Sequence, residues 1–225
     1  MEPTKTYHLY THANGFENLF RSKENYRYFL RRYEYFISPI ADTLAWCLMP
    51  NHIHFLIRVK NEREIIEAFP ETDQTSEGSQ TSEVLRNLPQ TSEVFRNLGG
   101  LRRGLTIEKR IPKQFGNLFN SYTKAFNKMY DRKGSLFIPN FKRKEISNDR
   151  YFTTIIHYIH ANPVHHGFLK TIDDWPWSSF HELLTGERTF LKGDEVIEWF
   201  GNKEEFIKYH QQPIEVRTQA EFDIF

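Results

Sequence analysis

The chain has 225 residues, a formal net charge of +1 and 16% aromatic residues, enough to bury the core of one domain with additions. No stretch approaches the roughly 18 apolar residues of a membrane span, and Met1 to Tyr10 has no signal-peptide pattern, so a cytoplasmic protein is expected. Its one cysteine, Cys47, excludes an internal disulfide and a multi-cysteine zinc site; within the apolar run Leu44 to Met49 it reads as a buried structural thiol.

The first expected strand is Thr6 to Ala13, broken by Asn14-Gly15. Ser22 is a candidate N-cap for a helix whose apolar residues Tyr26, Phe29, Leu30, Tyr33, Phe36 and Ile37 recur at helical spacing, with Ser38-Pro39 as its stop. Thr43 to Met49 and His52 to Lys60 read as two strands joined at Pro50-Asn51 into a hairpin, and a short helix is expected to begin near Glu62. Residues 71–100 then repeat themselves, with Gln80 to Pro89 followed by a near copy at Gln90 to Gly99. A ten-residue period in two copies matches no solenoid, so this segment reads as a poorly ordered surface insertion.

Regular structure is expected to resume at Pro112, taken as a first-turn residue. From there Phe115, Leu118, Phe119, Tyr122, Phe126 and Met129 form one helical stripe that Gly134 ends. Phe141 to Ile146 reads as a basic strand, and Ser147-Asn148 as the cap of a helix from about Asp149 to Ala161, with Pro163 allowing no further turn. The organisation expected is a domain over residues 1–180, interrupted at about 71–100, and an acidic extension over 181–225.

The near-zero net charge hides a segregation: residues 1–60 carry +3, 61–100 −5, 101–150 +9 and 151–225 −6. The basic block interleaves aromatics with Arg102, Arg103, Lys109, Arg110, Lys113, Lys124, Lys142, Arg143 and Lys144, the composition of a polyanion-binding surface. A solvated basic helix face is the plainer reading of the same residues.

In the strand at His52, alternation sends His52, His54, Leu56 and Arg58 to one face and Ile53, Phe55, Ile57 and Val59 to the other. Two imidazoles about 6.5 to 7 Å apart at their Cα atoms can converge on one divalent ion; they can equally sit at a sheet edge, hydrogen-bonded or solvated. Tyr158 and Asn162 lie four residues apart, on one helix face, and offer a phenol and an amide oxygen. Their plainer roles are a packing aromatic and a helix C-cap. His157 and His160 do not share the face of Tyr158, and His165 and His166, beyond the expected helix break, are read as meeting phosphate or solvent rather than metal.

His52-Ile53-His54, Gly134-Ser135-Leu136-Phe137, Tyr158-Ile159 ahead of Asn162-Pro163, and Trp177-Ser178-Ser179, in this order, resemble the single-tyrosine HUH transposases, most closely the REP-associated tyrosine transposases. The resemblance covers about residues 5–61 and 101–180. It implies an α+β fold with a ferredoxin-like antiparallel sheet, a divalent metal (Mg²⁺ or Mn²⁺) held by His52, His54 and Asn162, and Tyr158 as the nucleophile. It also implies a DNA transposase that nicks and rejoins single-stranded or hairpin DNA through a 5′-phosphotyrosine. A domesticated hairpin-binding protein that no longer cuts is the second reading, and a metal phosphodiesterase acting through water, without need of Tyr158, the third. Monomer and homodimer both stay open.

Overall fold

The computed structural model describes residues 1–69, 106–148, 151–186 and 189–213. Four strands, β1 (Thr6–His12), β2 (Ala41–Leu48), β3 (His52–Val59) and β4 (Lys142–Ile146), form one sheet in the order β2-β3-β1-β4, every neighbouring pair antiparallel. With α1 (Lys23–Ile37) between β1 and β2, and α2 (Glu62–Ala68) and α3 (Ile107–Met129) between β3 and β4, this is the ferredoxin-like arrangement expected. The insertion at 71–100 and the basic residues Arg102 and Arg103 lie outside the described residues.

The alternation of β3 is realised as read. Ile53, Phe55, Ile57 and Val59, with Tyr7 and Leu9 of β1, face a core closed by α1 and α3 through Phe29, Tyr33, Phe115, Leu118 and Tyr122. The Tyr33 ring stacks on Phe55, centroids 4.1 Å apart. Fully burying an aromatic of this kind contributes about 1.5–3 kcal/mol. At the start of α1, Asn25 Oδ1 accepts from the backbone N–H of Arg21 (2.9 Å) and Ser22 (3.2 Å), which fixes the entry of the chain at the expected cap.

The other face of the sheet is buried too, because α4 (Phe152–His165) crosses it. Here Ala45, Cys47 and Leu56 pack against Ile155, Ile156 and Ile159, and Cys47 is fully buried as expected. The β2 register slips at Leu44, a bulge that brings Ala45 and Cys47 to the α4 side. Beyond α4 come a 3₁₀ turn (Ile172–Asp174), α5 (Phe180–Thr185), α6 (Gly193–Phe200) and α7 (Lys203–His210). The outer edge of β2 is closed by Trp177 O, which accepts from Leu48 N–H (2.8 Å), and by Ser179 N–H, which donates to Trp46 O (2.9 Å).

Helix boundaries differ from the expectation at both ends of α3 and α4. Helix α3 ends at Met129 rather than at Gly134, and α4 begins at Phe152 with Tyr151 at its N-cap rather than at Asp149 behind Ser147-Asn148. The other two differences concern proline. Helix α3 begins at Ile107, so Pro112 is its sixth residue rather than a first-turn one; α4 runs through Pro163 to His165. A proline removes one backbone hydrogen bond and crowds the carbonyl four residues earlier. Exposed Pro112 leaves the rest of its helix intact, and after Pro163 the ladder resumes with His166 N–H donating to Asn162 O (3.0 Å).

Candidate metal and DNA site

The α4-facing side of the sheet collects imidazoles. Antiparallel pairing sets His12 opposite His52 and Tyr10 opposite His54, while on the other side of β1 His8 faces Lys144 and Tyr10 faces Lys142. The His12 and His52 rings stack with centroids 4.8 Å apart, and His8 and His54 stack at 5.1 Å. His8, His52 and His54 are buried, at the middle of the sheet rather than at its edge.

Helix α4 lowers Tyr158 onto this layer. Its ring meets those of His54 and His8 edge-on, at 5.9 and 6.0 Å between centroids, and that of His165 at 6.0 Å. One turn on, Asn162 Nδ2 donates to Tyr158 O (2.9 Å), while its Oδ1 is buried with no hydrogen-bond partner among the described residues. Still further along, the exposed ring of His166 lies 4.6 Å from His52. Asn162 is therefore bracketed along its helix by residues that contact both histidines of β3. Tyr158 and Asn162 are both 0% exposed, so the phenol is enclosed, and the cluster opens at the His12–His166 end.

Burial decides the charge state of this layer. It lowers His8 to about 3 and His52 to about 2, with the charges of Lys144, and of His166 and His12, adding to the respective shifts. His54 is pushed well below its ordinary value, again by burial first, and His12 to about 4. At neutral pH these rings are uncharged and carry lone pairs.

The residues present fit a divalent cation. His52 Nδ1 lies 2.8 Å from Asn51 Oδ1, which only accepts, so the proton sits on Nδ1 and the lone pair on Nε2. Asn162 Oδ1 is a buried acceptor in need of a partner. Among the described residues no three His, Cys, Asp or Glu side chains are arranged to hold a metal, so a centre here depends on that amide oxygen joining His52 and His54.

The basic residues divide between the two faces. Lys142 and Lys144 project on the imidazole side, with Lys142 Nζ 6.0 Å from the centre of the Tyr10 ring, and Arg143 on the other. Lys109, Arg110, Lys113 and Lys124 belong to α3, which covers the face away from Tyr158. Periodicity alone could not assign these sides, since it does not say which helix packs where.

Four residues of the cluster escaped sequence reading. His8 and His12 were legible in principle, because the alternation used for β3 also sets His8, Tyr10 and His12 on one face of Thr6–His12. His165 and His166 were set aside on the assumption that the helix broke at Pro163; its continuation brings both to the cluster. His157 and His160 do turn away from Tyr158, as expected, toward His210.

No family model matches the chain. A protein of Haemophilus influenzae named as a REP-associated tyrosine transposase is 25% identical over 146 residues, covering 65% of this chain and 62% of that protein. The REP-associated tyrosine transposase of Escherichia coli is 33% identical over 72 residues, covering 32% and 40%. The chain is related to the REP-associated tyrosine transposases. It spans less than two thirds of the length of either relative. A solved structure of a REP-associated tyrosine transposase bound to a REP hairpin covers 84% of this chain and 85% of its own, with 20% identity and a TM-score of 0.48. No described helix is long and apolar enough to cross a membrane.

Proposed function

We propose that this chain is a metal-dependent DNA strand transferase that cuts and rejoins single-stranded or hairpin DNA through Tyr158. The observation that carries this reading is the packing of the Tyr158 ring against His54, one helical turn from a buried, unpartnered Asn162 Oδ1. The relationship to REP-associated tyrosine transposases supports it, as do Lys142 and Lys144 on the same face as the imidazoles.

His52 and His54 through ring nitrogens, and Asn162 through Oδ1, would hold a divalent ion. Bound there, Mg²⁺ or Mn²⁺ supplies charge stabilisation at the oxygens of a scissile phosphate, and the mixed imidazole and amide donors favour Mn²⁺. Lys142 and Lys144 bind flanking phosphates. The Tyr158 oxygen attacks phosphorus in line: the Oη–P bond forms, the P–O3′ bond breaks, the phenol gives up its proton and the departing 3′-oxygen gains one. The ester is retained as a 5′-phosphotyrosine, so attack by a second 3′-hydroxyl rejoins DNA without ATP.

The enclosure of Tyr158 favours a second reading, a hairpin-binding protein that no longer cuts. Incubation with Mn²⁺ and labelled single-stranded DNA, read on a denaturing gel, separates the two. A covalent adduct lost in Tyr158→Phe is expected; binding with neither cleavage nor adduct establishes the second reading. Cleavage that persists in Tyr158→Phe without adduct would instead mean hydrolysis by water.

A further inference from the structure

His54 offers a metal only one of its two nitrogens at a time, and which one depends on its neighbour. Its Nδ1 lies 2.9 Å from His8 Nε2, both rings are fully buried, and they stack with an interplanar angle of 16°. A neutral imidazole carries one N–H, so one proton lies between these two nitrogens. If His8 supplies it, the single N–H of His54 occupies Nε2 and that nitrogen cannot ligate. If His54 supplies it, Nε2 keeps its lone pair.

We propose that His8 is the positioning residue for His54, accepting the Nδ1–H of His54 and so holding it in the tautomer whose Nε2 carries the lone pair that a divalent cation would take. The proposal rests on the reading of His54 as a metal ligand. One feature supports the direction of the bond: His52, the other imidazole of the set, is held in this same tautomer by Asn51 Oδ1 at 2.8 Å. His8 thus takes on β1 the place that a carboxylate or carbonyl commonly takes behind a metal-bound imidazole.

Two measurements on the full chain test this. Long-range ¹H–¹⁵N correlation spectra of the metal-free protein at pH 7 are expected to show His54 protonated at Nδ1; protonation at Nε2 overturns the proposal and needs no variant. Mn²⁺ titration followed by the EPR signal of the free ion is expected to show affinity about 10- to 100-fold weaker in His8→Leu. His8→Gln, whose side-chain carbonyl also accepts, should restore most of it. Loss of affinity in His54→Ala but not in His8→Leu overturns the role of His8 alone, whereas affinity untouched by His54→Ala overturns the metal centre itself and this role with it.

Discussion

Ser179 Oγ lies 2.7 Å from His160 Nε2, and this contact ends a chain of hydrogen bonds whose direction is determined throughout. His210 Nδ1 must donate to Phe206 O, a carbonyl 2.8 Å away, so neutral His210 accepts at Nε2 from His160 Nδ1 (2.9 Å). His160 Nε2 is then an acceptor, and the Ser179 hydroxyl donates to it while accepting from Trp46 N–H (2.9 Å). The relay links α7 and the back of the Tyr158 helix to β2.

Ser179→Ala would leave Trp46 N–H and His160 Nε2 buried without this partner. Each such group costs about 1–3 kcal/mol, so the urea midpoint should fall clearly with an unchanged m-value. A midpoint equal to that of the wild type would mean that water replaces the hydroxyl.

Acid should unfold the metal-free protein steeply. His8, His52 and His210 are lowered by burial to about 3, 2 and 3, whereas their unfolded values lie near 6.5. Above that pH neither state binds these protons. Below it the unfolded chain takes them up and the fold does not, so stability is lost as pH falls from about 6.5 toward 3, at up to about 1.4 kcal/mol per pH unit for each ring. Thermal melts in chelator between pH 7.5 and 4.5 check this; a melting temperature flat across that range contradicts the assignment of neutral buried rings.

Asn162→Ala removes the amide oxygen that completes the proposed donor set. Mn²⁺ affinity is expected to drop at least tenfold, about 1.4 kcal/mol. Added Mn²⁺ should also raise the melting temperature of the wild-type chain more than that of the variant. Equal shifts would remove Asn162 from the centre.

The two faces of the basic block should behave differently. Replacing Lys142 and Lys144 together with Ala should weaken binding to single-stranded DNA and reduce the slope of log K against log salt by about 1.4, near 0.7 per phosphate contact. Replacing Lys113 and Lys124, on the helix that covers the far face, should change that slope less. The reverse order would place the strand across α3.

Much of this protein was already legible along the chain. Alternation in His52–Val59 assigned both of its faces, the spacing of Tyr158 and Asn162 put them on one side of a helix, and the apolar stripe from Phe115 to Phe126 marked the helix that closes the core. These are short-range facts, set by the periods of strand and helix. Tertiary structure alone decided what met what. The pairing of β1 with β3 brings His8 and His12 to His54 and His52, Pro163 is tolerated inside a packed helix so that His166 reaches His52, and β4 turns Lys142 toward the site and Arg143 away. Such contacts join residues scores of positions apart, and no local period encodes them. They follow from strand order and from which face each helix covers, and these are settled when the whole core is buried at once.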